Sequence, residues 1–157
     1  MNAPILDERA LLDAIASERR EKHSIGFANG VFDVLHVGHI RYLQAAAREA
    51  DILVVGVNSD ESVRAIKGAG RPLTNERERA EIVSAIRGIA YVTIFLESSP
   101  ARLIGVLKPD VHCKGTDYTA DSVPERDVVR AYGGRVVIVG DPKDHSTTAI
   151  LEKMQKQ

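Results

Sequence analysis

The sequence predicts an open, parallel, doubly wound α/β sheet. Five short segments rich in β-branched residues punctuate the chain. Most of them are apolar throughout rather than alternating, as expected of strands covered on both faces. Around them run longer segments whose apolar residues recur at helical spacing. Strand and helix therefore alternate, which predicts one Rossmann-like sheet of five parallel strands, helices on both faces and right-handed crossovers.

Residues 7–22 read as a helix with Leu11, Leu12, Ile15 and Ala16 on one stripe. Residues 24–29 (SIGFAN) are the first strand, and 38–50 the second helix, with Ile40, Leu43, Ala46, Ala47 and Ala50 facing inward. The run 52–57 (ILVVGV) is the second strand, and 75–87 a helix carrying Ala80, Ile82, Val83 and Ile86. Residues 91–95 (YVTIF) are the third strand. In the helix 99–107, Ser99 and Pro100 make the favoured pairing of N-cap and first helical residue. Residues 111–114 (VHCK) form the fourth strand, and 124–132 a helix that begins with Pro124 and stops at Gly133-Gly134. Residues 135–139 (RVVIV) form the fifth strand, and 146–155 a last helix capped by Ser146. The stretches 67–75 (KGAGRPLTN) and 115–124 read as site loops. The whole is expected to be one domain over 1–157, an N-terminal helix in 1–22 leading into a core over 24–155.

Composition narrows the function classes. A chain of 157 residues is one domain long and can bury a core without staples. Its 21 basic and 22 acidic residues nearly cancel, against a nucleic-acid coat or a polybasic membrane binder. With no Trp and 4% aromatics, platforms for base stacking are undersupplied. A single cysteine, Cys113, excludes an internal disulfide or a cysteine-rich zinc site, and its place in a strand marks a small buried hydrophobe. The longest apolar run, 52–57, is too short to span a bilayer, and Asp7-Glu8-Arg9 leaves no signal-peptide core. The expectation is a cytoplasmic protein with no nucleic-acid and no membrane partner.

In a doubly wound sheet, ligands bind beyond the carboxyl ends of the strands near a switch point. The segment 29–39 (NGVFDVLHVGH) stands at such an end and opens a helix. It is neither a dinucleotide fingerprint nor a Gly-Lys-Ser/Thr phosphate loop. His36 and His39 lie three apart, on one face of the first turn, with Gly38 between them. A helix N-terminus offers free N–H groups and a positive dipole end, and Gly38 lets an anion approach the backbone. The pair thus reads as two imidazole donors at an anion site, or as caps, or as two metal ligands lacking a third.

Other candidates follow the same logic. Lys67 and Arg71 are cations on a Gly-rich loop that could close over phosphates, or a solvated surface. Gly115 permits close backbone approach beside Lys114, and Asp117 either accepts from a sugar hydroxyl or forms a turn. Asp33 orients a neighbour or caps. Ser146, Thr147 and Thr148 open a second helix after a strand, suited both to capping and to a phosphate. Asn58, Ser59 and Asp60, at the end of the second strand, are candidate sugar ligands with Tyr118. His23 and His112 read as structural or surface.

Gly30-Val31-Phe32-Asp33 followed by His36-x-Gly38-His39 resembles the nucleotidyltransferase superfamily that includes the cytidylyltransferases. Val57-Asn58-Ser59-Asp60, Lys67-Gly68-x-x-Arg71-Pro72, Lys114-Gly115-x-Asp117-Tyr118 and Ser146-Thr147-Thr148 extend the likeness across residues 24–155, and bring it nearest to the heptose 1-phosphate adenylyltransferases, the adenylyltransferase half of ADP-heptose synthase. The resemblance implies transfer of AMP from ATP to D-glycero-D-manno-heptose 1-phosphate, with release of pyrophosphate, feeding lipopolysaccharide or other surface-glycan assembly. It implies catalysis by His36, His39 and Lys67. Nucleotide contacts would come from Asn29, Gly30, Val31, Phe32, Asp33, Gly38, Arg71, Arg79, Lys114, Gly115, Asp117, Ser146, Thr147 and Thr148. It further implies Mg²⁺ held through the triphosphate, no protein metal site, and a homodimer or higher homo-oligomer. Where glycerol-phosphate cytidylyltransferases carry an Arg before the Ser-Thr-Thr, this chain has 141–145 (DPKDH), so Lys143 stands as a substitute cation. Two-domain relatives carry a sugar kinase ahead of this domain, for which 157 residues leave no room. A cytidylyltransferase for a small phosphorylated alcohol or phosphonate, and a non-catalytic nucleotide-sensing module, are the alternatives.

Overall fold

The computed structural model describes residues 1–142 and 146–157. Its elements run α1 (Glu8–Arg20), β1 (Ile25–Gly30), α2 (Val37–Ala46), β2 (Ile52–Asn58), α3 (Asp60–Lys67), α4 (Glu76–Ser84), β3 (Tyr91–Phe95), α5 (Ala101–Leu107), β4 (Val111–Lys114), α6 (Arg126–Ala131), β5 (Arg135–Ile138) and α7 (Thr147–Gln155). The five strands form one parallel sheet in the order β3-β2-β1-β4-β5. The order reverses at β1, so the crevice between β1 and β4 is the switch point.

Two cores explain why the strands are apolar on both faces. Ala28, Leu53, Val55 and Val57 pack against Leu43 and Ala46 of α2 and Ala80 and Val83 of α4. The alternate residues Phe27 and Val54 pack on the opposite face against Leu11 and Ile15 of α1, Leu103, Ile104 and Leu107 of α5, and Val129 of α6. Cys113 is buried, and burial pushes its thiol up to about 12.

Several boundaries differ from the sequence expectation for local reasons. The second helix stops at Ala46 rather than Ala50, because Arg48 and Glu49 make shorter turn bonds to Ala45 and Ala46. The helix expected at Pro124 begins at Arg126, and the one expected at Ser99 begins at Ala101, whose N–H donates to the Ser99 hydroxyl. The helix α3 was not expected; Ser59 caps it by accepting from the Ser62 N–H. Lys67 is thus the last residue of α3 rather than part of the loop. Ahead of α1, Ala3 and Leu6 hydrogen-bond to Ser84 and Val92, and Ile5 bridges Val92 on the outer edge of β3. Among the described residues no helix is long and apolar enough to cross a membrane.

Candidate functional site

The turn after β1 is shaped by Phe32. Its φ of 51° lies in the left-handed region, where a bulky side chain is strained. The ring is buried and lies over Gly30, where a Cβ would come within 2.9 Å of it. Only glycine lets that ring fold back. Phe32 in turn meets the His39 ring edge-on, with centroids 5.6 Å apart.

The two histidines build the mouth of α2. His36 is the N-cap, and its Nδ1 accepts from the Gly38 N–H at 3.1 Å. His39 Nδ1 accepts from the His36 N–H at 3.2 Å, closing a reciprocal capping box. A backbone N–H can only donate, so each Nδ1 is the bare nitrogen and each Nε2 carries the ring proton. The rings lie 3.9 Å apart at a tilt of 32°. The cap thus fixes which ring nitrogen carries the proton.

A cavity of about 440 Å³ opens beside them at the β1/β4 switch point. Its floor is Asn29, Gly30, Val31, Phe32 and Asp33 at the end of β1, with His36, Gly38 and His39 from α2. Lys114, Gly115, Asp117 and Tyr118 line it after β4, Lys67 and Arg71 from the α3 side, and Ser146, Thr147 and Thr148 at the mouth of α7. The structure thus brings together 17 of the 21 sequence-selected residues and Tyr118 among them.

The remaining four lie elsewhere. Arg79 is a correction: its side chain is wholly buried, and it does not line the cavity. Its guanidinium donates to the Val31, Asn58 and Thr74 carbonyls and to Asp60 Oδ1, at 2.7–2.9 Å. Arg79 is thus a rivet that joins the β1 turn, the end of β2 and the loop ahead of α4. Asn58, Ser59 and Asp60 are a second correction. Asn58 Nδ2 donates to the Ser62 hydroxyl, Ser59 caps α3 and Asp60 pairs with Arg79. They start a helix and do not reach the cavity.

Asp33 has a definite task. Its carboxylate accepts from Arg71 Nε at 2.8 Å and from the Leu73 and Thr74 N–H groups at 2.9–3.0 Å. It ties the Gly-rich loop to the β1 turn. Burial opposes its ionisation, but these N–H donors and Arg71 hold its carboxyl below the usual carboxylate range. Gly68 and Gly70 sit at φ of 87° and 89° in that loop, with open space around them, so backbone conformation alone calls for glycine.

At α7, Ser146 accepts from the Ala149 N–H and Thr147 donates its hydroxyl to the Val34 carbonyl. Lys143 and His145 lie outside the described residues. Sequence reasoning missed Arg41, Tyr42, Thr116 and Asp141 in the cavity wall. Tyr42 donates to the Cys113 carbonyl, and burial raises its phenol. Arg41 pairs with Asp141 at 2.9 Å. Tyr42 lies three residues after His39 on α2, a helical spacing that marks the same face. Carboxylates are dispersed around the cavity, and no group of three metal-binding side chains occurs among the described residues. Cations and two helix mouths make a donor set for phosphate oxygens. They fit a divalent ion carried on those oxygens and water, which needs no protein cage.

Fold and cavity together define a nucleotidyltransferase of the doubly wound α/β class. The chain belongs to the cytidylyltransferase-like family, whose model matches residues 27–153. It is 48% identical over 145 residues to the bifunctional protein HldE of Syntrophotalea carbinolica, covering 92% of this chain and 30% of that protein. It is 49% identical over 153 residues to the protein of the same name from Geobacter metallireducens, covering 98% of this chain and 31% of that one. The chain therefore spans under a third of the length of these curated relatives. A crystal structure of the lipopolysaccharide core biosynthesis protein from Thermoplasma volcanium superposes with a TM-score of 0.65 at 26% identity, covering 77% of this chain and 99% of that one.

Proposed function

We propose that this chain transfers AMP from ATP to D-glycero-D-manno-heptose 1-phosphate, giving ADP-heptose and pyrophosphate. The observation that carries the reading is the pair of His36 and His39, locked by their own capping box at the edge of a switch-point cavity. Similarity to the HldE proteins and to a lipopolysaccharide core biosynthesis protein supports the sugar assignment.

The acceptor is already an anionic phosphate oxygen, so no protein base or covalent intermediate is needed. The oxygen attacks the α-phosphorus, and the α–β bridging bond breaks with pyrophosphate leaving. The protein's work is alignment and stabilisation of the crowded oxyanion. His36 and His39 present Nε2–H donors to the α-phosphate oxygens. The α2 and α7 mouths receive phosphates through their N–H groups, with Thr147 and Thr148 at the second. Lys67 and Lys114 neutralise charge from the two sides of the cavity. Arg71, held by Asp33, keeps the loop in place. Asp117 and Tyr118 face the sugars. Mg²⁺, when bound, would be carried on the triphosphate oxygens and water and would lower the charge that Lys67 and Lys114 face.

The test is a matrix of four nucleoside triphosphates against a panel of sugar 1-phosphates, read by pyrophosphate release. ATP with the heptose 1-phosphate is the expected productive pair. Turnover with CTP and a small phosphorylated alcohol would overturn the assignment. ATP binding with no pyrophosphate from any acceptor would make the chain a nucleotide sensor.

A further inference from the structure

Below the β4 side of the cavity lies a buried polar row that the chemistry above does not use. Glu125 is 5% exposed, although carboxylates are seldom so buried unless paired. It holds the N-cap position of α6, yet its side chain makes no capping hydrogen bond. It turns toward β4 instead. Its Oε2 lies 3.4 Å from His112 Nε2 and 4.0 Å from Lys114 Nζ. His112 is itself fully buried and stacks on Phe27 with centroids 5.8 Å apart. Its Nε2 faces the carboxylate, while its Nδ1 is without a hydrogen-bond partner among the described residues. On the other side, the Lys114 ammonium lies 5.0 Å from the centre of the Tyr118 ring.

Two of these residues, Lys114 and Tyr118, line the cavity; Glu125 and His112 do not. A lysine side chain is a flexible stem with a point charge at its tip, costly to fix by itself. Here an anion behind and an aromatic face beside leave it one favourable place. Burial works against the Glu125 anion, but His112 and Lys114 keep its carboxyl below the ordinary range. The bond from His112 also leaves the carboxylate partnered if the ammonium leans toward a ligand. A carboxylate paired only with Lys114 would oppose that movement, because it would be left buried and bare.

We propose that Glu125, steadied by His112, is a positioning residue that holds the Lys114 ammonium against Tyr118 so that it meets nucleotide phosphate. This rests on the reading of the cavity as a nucleotide site. A double-mutant cycle tests it, with ATP affinity measured by titration calorimetry on wild type, Glu125→Gln, Lys114→Gln and the double variant. Each single change is expected to weaken ATP about tenfold, and the double to be no weaker than Lys114→Gln within about twofold. In turnover, Glu125→Gln raises the KM for ATP and leaves kcat within about threefold.

Additive losses in the double variant, or unchanged ATP affinity in Glu125→Gln, overturn the proposal. So does a loss of kcat and melting temperature of equal size in both Lys114 backgrounds, the mark of a purely structural residue. If Glu125→Gln does not fold, the cycle runs with Glu125→Asp, which keeps the charge on a shorter stem and is expected to couple to Lys114 in the same direction. Coupling without pyrophosphate release from any sugar phosphate sinks the proposed reaction alone. Turnover without coupling sinks the positioning role alone. A wild-type chain that binds no nucleoside triphosphate sinks both.

Discussion

At the scale of single residues, His36 and His39 each carry two duties that substitution can separate. Each Nδ1 holds the start of α2, and in the proposed reaction each Nε2–H serves the phosphate. Asn is among the best N-caps and has no donor at the Nε2 position. His36→Asn should therefore keep stability within about 0.5 kcal/mol while slowing pyrophosphate release by about a hundredfold. His39→Ala removes both duties. It should cost about 1 kcal/mol through the lost cap and slow turnover by about a hundredfold or more. Thermal melts beside a pyrophosphate assay read the two effects apart; near-wild-type turnover in both variants would sink the role of the pair. Arg79 gives the contrasting case. Its guanidinium is wholly buried and ties four segments together. Arg79→Leu strands the Asp60 carboxylate and three carbonyls, so a loss of about 3–5 kcal/mol is expected. Denaturant titration measures it, and a loss under about 1 kcal/mol would show that the rivet is not needed.

At the scale of elements, the Gly-rich loop between α3 and α4 is held mainly through one carboxylate. The folded-state pKa of Asp33 lies below its unfolded value of about 3.9. A lowered carboxylate pKa gives stability that is present above the unfolded value and is lost as pH falls through the folded one. The Asp33 contribution is thus complete near neutrality and fades below about pH 4. Asp33→Asn should lower the melting temperature at pH 7 and flatten the acid limb of the wild-type curve; parallel acid limbs would refute this. The same loop shows what the sequence hides. Strands were legible because residues such as Leu53 to Val57 are apolar on both faces, and that pattern needs no knowledge of partners. The helix α3 was not, since its eight residues bury only Ser62 and Val63 and leave too short a stripe to register. Without it, the cap Ser59 and the salt-bridge partner Asp60 read as candidate sugar ligands, whereas the structure places both outside the cavity lining. Arg79 misled for a related reason: charged residues on amphipathic helices usually face water, and only the fold reveals three carbonyls converging on this one.

At the scale of the whole molecule, the cavity exists because β1 and β4 part at the switch point and two helices open toward the gap. That location was legible from the fold class and the 29–39 segment at the end of the first strand, whereas Arg41 and Asp141 required the actual packing of α2 beside the end of β5. The two helices are not equally secure. The helix α2 buries Leu43 and Ala46 in the core, while α7 buries no side chain completely and is tethered by the Thr147 bond to Val34. Segments with few buried apolar contacts open first in native-state exchange. ATP that engages both helix mouths must therefore transfer stability to α7. At a hundred times its Kd, ATP should stabilise the fold by about 2.7 kcal/mol, or roughly 5–10 °C in melting temperature. The amides of α7 should slow in hydrogen exchange by a larger factor than those of α2. Thr147→Val removes the tether and should reduce that protection while leaving the α2 amides as slow as in wild type. Exchange at α7 that ignores ATP would place the polyphosphate on the α2 side alone and remove Thr147 and Thr148 from the site.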